Sequence, residues 1–110
     1  MLFSPACERN QGPILAVLQE WLPAGAQVLE IGSGSGQHAV YFCQQISCLT
    51  WQPSERQASL MDLQAQLKAL SPSGSGLAAG SRLPPAIALD VTDAGQWPRQ
   101  SFDAVFSANT

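Results

Sequence analysis

The segment Val28-Leu29-Glu30-Ile31-Gly32-Ser33-Gly34-Ser35-Gly36 constrains the fold more than any other part of the chain. Its first half is short, apolar and bounded by glycines, which reads as a buried strand. Three glycines at alternate positions follow. Then His38, Ala39, Val40, Tyr41 and Phe42 fall in a helical pattern over residues 37–45. A strand, a glycine turn and a helix in that order begin a right-handed β-α-β unit of a parallel sheet. A flexible Gly/Ser linker would lack the apolar segments on both sides.

The remaining elements fit the same architecture. A helix is expected from about Gly12, with Pro13 in its first turn and Ile14, Leu15, Val17, Leu18, Trp21 and Leu22 on one stripe. Residues 47–52 read as a second strand, ended by Pro53. Ser54 with Gln57 reads as a capping box for a helix bearing Leu60, Leu63, Leu67 and Leu70. Residues 71–85 are rich in Ser, Gly and Pro and are expected to form a flexible loop. Residues 86–91 and 101–107 read as the third and fourth strands. The connection between them holds Pro98 and is too short for a full helix. The expected fold class is α/β: one Rossmann-like domain over residues 1–110, mainly a parallel sheet with flanking helices, cut off after its fourth strand. An open strand edge of that kind invites self-association.

Bulk properties narrow the partners. The 110 residues are 45% hydrophobic and 12% charged, enough to build a packed core. The net charge is -3, and the five basic residues (Arg9, Arg56, Lys68, Arg82 and Arg99) are scattered. Neither nucleic acid nor an anionic membrane finds a basic patch here. Cys7, Cys43 and Cys48 form no disulfide or metal-finger pattern and read as reduced thiols. There is no signal peptide and no apolar run of the about 20 residues that span a membrane, so a cytoplasmic location is expected.

The glycine turn also carries chemistry. Bare backbone lets a ligand approach closely, and the helix N-terminus offers free N–H groups and partial positive charge. Dinucleotide sites use G-x-G-x-x-G to hold a pyrophosphate. Here the spacing is G-x-G-x-G, at Gly32, Gly34 and Gly36, and Gln37 stands where the dinucleotide pattern has its third glycine. Glu30, just before the turn, would repel a pyrophosphate and suits a cationic group such as an ammonium or a sulfonium. An NAD(P)-dependent oxidoreductase is therefore the alternative, and a purely structural turn the bland reading.

The nine residues from Val28 to Gly36 resemble the first motif of class I S-adenosylmethionine-dependent methyltransferases. With Ser4-Pro5-Ala6-Cys7-Glu8-Arg9-Asn10-Gln11-Gly12-Pro13-Ile14, Trp51-Gln52-Pro53-Ser54-Glu55 and the run Phe102-Asp103-Ala104-Val105-Phe106-Ser107-Ala108-Asn109-Thr110, they resemble the N-terminal half of the methyltransferase-like 26 family. The resemblance implies S-adenosylmethionine as cofactor and an unidentified methyl acceptor, a small molecule or a protein. It implies cofactor contacts from Glu30, Gly32, Ser33, Gly34 and Gly36. It places Arg9 and Asn10 before the first helix and over the site, with Arg9 on the methionine carboxylate; the alternative for Arg9 is a surface side chain. The acidic residue that holds the ribose in such folds aligns with Gln52, a departure from the pattern. Glu55 could reach in instead, or could serve only the helix dipole. Asp90 and Val91 are implied to lie near the adenine, with Asp90 alternatively capping its own loop, and Asn109 near the transferable methyl group. No catalytic base and no metal are implied, and the departure at Gln52 leaves open an inactive cofactor-binding or regulatory form.

Overall fold

The computed structural model describes residues 5–108, with side chains from residue 8 onward. Helix α1 (Pro5–Trp21) leads into β1 (Gln27–Glu30), α2 (Gln37–Gln45), β2 (Thr50–Gln52), β3 (Ser54–Glu55), α3 (Gln57–Leu70), β4 (Ile87–Ala88) and β5 (Ala104–Phe106). Every strand pairing is parallel. β1 is central, with β2 on one side and β5 on the other, and β3 pairs with β4. β2 and β3 are one strand interrupted at Pro53, so the carboxyl ends run in the order β4, β3, β1, β5. This is the α/β parallel architecture expected from the alternation of elements.

Aromatic stacking beneath the sheet's carboxyl edge anchors α2. Phe42 and Trp51 are fully buried with ring centroids 5.1 Å apart, and Phe106 lies 5.8 Å from Phe42 and 5.2 Å from Trp51. Leu63 and Leu67 bring α3 onto the same core. Each such side chain contributes about 1.5–3 kcal/mol by leaving water.

Several boundaries differ from expectation. α1 begins at Pro5, seven residues before Gly12, so Arg9 and Asn10 lie inside the helix and Pro13 is interior to it. Pro13 cannot donate to the carbonyl of Arg9, but Ile14, Leu15, Leu18 and Leu22 still pack on the core, and that packing holds the helix through the break. Val17 and Trp21 are 53% and 78% exposed, so the apolar stripe is narrower than its sequence pattern. The second strand starts at Thr50 because Cys48, at φ 60°, turns the chain. Ser54 is not a helix cap. It is a strand residue whose N–H donates to Ser33 Oγ at 3.0 Å and whose hydroxyl donates to the Glu30 carbonyl. Arg56 takes the N-cap position, with no side-chain hydrogen bond.

The third and fourth strands are shorter than predicted because each is edge-paired over only two or three residues. Residues 78–85 are tied to β2: Arg82 N donates to Leu49 O at 2.7 Å, Trp51 N to Arg82 O at 3.0 Å, and Ser81 Oγ to Leu49 O at 3.0 Å. No helix among the described residues is long and apolar enough to cross a membrane.

Candidate functional site at the glycine turn

The turn after β1 depends on backbone conformations that only glycine adopts cheaply. Gly32, Gly34 and Gly36 stand at φ 67°, 57° and 78°. At Gly36 a second constraint applies: a Cβ would lie 2.7 Å from Leu67 Cδ2 and 3.4 Å from Leu63 Cδ1. The bare backbone is what lets α2 start directly against α3. At Gly34 a Cβ would meet nothing nearer than Gly32 O at 4.0 Å, so the turn there is open backbone. Gly36 N closes the turn on Ser33 O at 2.9 Å, and the Ser35 hydroxyl bonds Gln37 Oε1 at 2.9 Å.

Two carboxylates flank the turn on its β2–β3 side. Glu30 is 2% exposed, and its Oε1 accepts from Trp51 Nε1 at 3.0 Å. Burial pushes its carboxyl up to about 7, against the opposing hydrogen bonds from Trp51 and Ser33 and with a smaller push from Glu55. Glu30 is thus packed beneath the turn rather than presented on it. Glu55 is half-buried at the carboxyl end of β3. Its Oε2 accepts from Gly34 N at 3.1 Å and its Oε1 from Arg56 N at 2.9 Å. Because the strand continues through Pro53, the acidic residue at its carboxyl end is Glu55, which already touches the glycine turn.

The other predicted positions divide. Gln52 is buried, and its Nε2 donates to Pro53 O and Pro85 O, both at 2.9 Å. Its amide joins β2 to the segment entering β4. Asp90 Oδ1 accepts from Thr92 N at 2.9 Å and Thr92 Oγ1 at 2.6 Å, and these bonds lower its pKa. The capping alternative describes that oxygen. Val91 is exposed, and its carbonyl accepts from Trp97 Nε1 at 3.1 Å. Arg9 and Asn10 are exposed on α1. That corrects their placement ahead of the helix. Asn109 lies outside the described residues.

Sequence reasoning gave Trp51 no role beyond its strand, since its bond to Glu30 joins residues 21 positions apart. His38 enters the sequence only as part of a helical pattern. It is 4% exposed, stacks on Phe42 at 5.4 Å and meets Phe106 edge-on at 5.8 Å. Burial lowers its pKa. A separate groove of about 870 Å³ runs between α3 and residues 83–86, lined by Met61, Gln64, Lys68, Leu83 and Pro84. It includes none of the glycine turn.

Two comparisons bear on this arrangement. The profile of the family described as Protein of unknown function (DUF938) matches residues 1–110. Among solved structures, the chain is similar to a SAM-dependent methyltransferase from Thiobacillus denitrificans, crystallised in complex with S-adenosyl-L-homocysteine. The TM-score is 0.58 at 23% identity, over 98% of this chain and 38% of that one. At that identity the likeness establishes a shared fold. The chain spans well under half the length of the structure it matches.

Proposed function

The chain belongs to the DUF938 family, and on that footing we propose that it is the cofactor-binding part of an S-adenosylmethionine-dependent methyltransferase. The observation that carries this reading is the open backbone at Gly34, bordered by the Glu55 carboxylate at the end of the neighbouring strand. The finer kinship with the methyltransferase-like 26 family rests on the blocks around Arg9, Gly34, Gln52 and Asn109.

The donor set suits such a ligand. A carboxylate accepts two hydrogen bonds from a diol. Glu55 sits where the ribose hydroxyls would meet it, whereas both bonds of the Gln52 amide nitrogen are spent on carbonyls. We therefore assign the ribose to Glu55, with Gln52 holding the strand ends that support it. The Glu55 carboxylate beside Gly34 favours a cationic sulfonium or ammonium over a pyrophosphate. Asp90 and Val91, at the carboxyl end of β4, are assigned to the adenine. Asp90 Oδ2 is left for it, since only Oδ1 serves Thr92.

A bound sulfonium donor supplies an already activated methyl group. The contribution left to the chain is alignment of donor and acceptor and exclusion of water. The acceptor, a small molecule or a protein met in the cytoplasm, is assigned to surfaces beyond this cofactor half. Isothermal titration with S-adenosyl-L-homocysteine tests the reading. Saturable heat is expected, abolished by Gly34→Val, with none from NADH. Heat from NADH alone would move the chain to the dinucleotide class.

A further inference from the structure

The connection after β4 closes on itself. Asp90 N donates to Gln96 Oε1 at 2.7 Å, and Trp97 Nε1 donates to the Val91 carbonyl at 3.1 Å. Each bond spans six residues, so residues 96 and 97 are laid back against residues 90 and 91. Between them runs a single 3₁₀ turn, Ala94–Gln96, capped by Asp93, which accepts from Gly95 N at 2.9 Å.

The indole N–H is the one hydrogen-bonding group of a tryptophan side chain, and here it is satisfied inside the loop. What Trp97 shows to the outside is therefore apolar ring. It is 38% exposed, and Val91, the residue it is tied to, is 45% exposed. A ring already fixed by its polar tip has little freedom left to lose when a ligand packs on it.

The neighbours decide what fits this pair. β4 runs parallel to β3 with Ala88 opposite Glu55, and Leu89 N donates to Glu55 O at 2.9 Å. Asp90 stands two residues, about 7 Å, beyond Ala88 along the same edge. A nucleoside bridges such a step, with its diol on Glu55 and its base beside Asp90 and Val91. A purine has apolar faces and a polar edge. The Asp90 carboxylate suits an amine on that edge, and the Trp97–Val91 pair suits a face, since any base stacks on an aromatic side chain.

We infer that Trp97 is a base-binding residue: its indole, pinned to the Val91 carbonyl, is the wall on which the purine of an adenosine-bearing ligand packs. This rests on the function proposed above, where that ligand is S-adenosylmethionine.

The chain has three tryptophans, Trp21, Trp51 and Trp97. Labelling with 5-fluorotryptophan gives three ¹⁹F resonances, and Trp97→Phe identifies the one that belongs to Trp97. The labelled chain is titrated with S-adenosyl-L-homocysteine, with adenosine, which keeps the base and ribose, and with L-homocysteine, which has neither. Expected is saturable movement of the Trp97 resonance with the first two and none with the third, while Trp21, exposed on α1, stays in place. In titration calorimetry Trp97→Leu should weaken both adenine-bearing ligands about tenfold or more. Trp97→Phe, which keeps a ring but cannot donate to Val91, should recover most of that loss. Equal loss in the two variants would make Trp97 a strut acting through Val91 and overturn the inference. So would binding of S-adenosyl-L-homocysteine to the wild-type chain with the Trp97 resonance unmoved, a result that needs no variant to fold. Absence of any binding would instead remove the proposed function, and the inference with it.

Discussion

Replacing Gly36 with alanine separates the two tasks of the glycine turn. An L residue held at φ 78° is strained by about 1–2 kcal/mol. The added methyl also meets Leu67 Cδ2 at 2.7 Å and Leu67 Cγ at 3.3 Å, on a side chain 8% exposed that has little room to move. Overpacking of this kind typically destabilises by about 1–3 kcal/mol. The sum is on the order of 3 kcal/mol, which for a domain of this size lowers the unfolding midpoint by roughly 10–20 °C. Gly34→Ala shares the left-handed strain, at φ 57°, but its methyl meets nothing within 4 Å except Gly32 O at 4.0 Å. It should lower the midpoint by less than half as much and act mainly on ligand binding. Thermal unfolding followed by far-UV circular dichroism measures both variants. Equal midpoints for the two, or a Gly36→Ala midpoint at the wild-type value, would refute the packing argument.

Glu30, with its carboxyl pushed up to about 7 from the ordinary 4.5, favours the protonated form when folded. Its stabilisation is full below the unfolded value and is lost as pH rises through about 7, a change on the order of 3 kcal/mol. Urea unfolding at pH 4 and pH 8 should show wild type losing that much stability relative to Glu30→Gln; parallel loss in both would rule it out. Glu55→Ala removes the acceptor on Gly34 N without opening the core, so affinity for S-adenosyl-L-homocysteine should fall about tenfold or more while the unfolding midpoint moves only a few degrees. Trypsin should cut at Arg99 well before Arg82, whose N–H and carbonyl are both bonded to β2 residues or their neighbours; mass spectrometry of early fragments reads the order, and first cleavage at Arg82 would contradict the pairing.

Much of the fold was readable from local patterns. β1 and α2 lie almost where their residues place them, because Gly25 and Gly32 bound β1, Gly36 precedes α2, and the apolar period changes between them. α1 was misplaced because Pro13 mimics a helix start, whereas the contacts that hold the helix come from α2 and the core. Ser54 was misread for a related reason. Pro53 looks like the end of a strand, and Ser-x-x-Gln like a cap, but the backbone beyond Pro53 pairs with β4 and carries Glu55 to the turn. That continuation brings Glu55, and not Gln52, to the turn, and no local pattern contains it. The Trp51–Glu30 bond and the unpaired Nδ1 of His38 are tertiary facts, since both arise where α2 closes over the sheet. The glycine spacing itself was legible because bare backbone at fixed intervals has few purposes.

The most direct test of the glycine turn as the ligand site is a ¹H–¹⁵N amide titration with S-adenosyl-L-homocysteine. Nine glycines make this region of the spectrum sparse enough to follow. The amides of Gly32, Gly34, Gly36 and Glu55 should move most, saturating together, while Met61 and Lys68 in the groove along α3 stay in place. Saturable shifts confined to that groove, or a bound ligand that leaves every turn glycine unmoved, would contradict it.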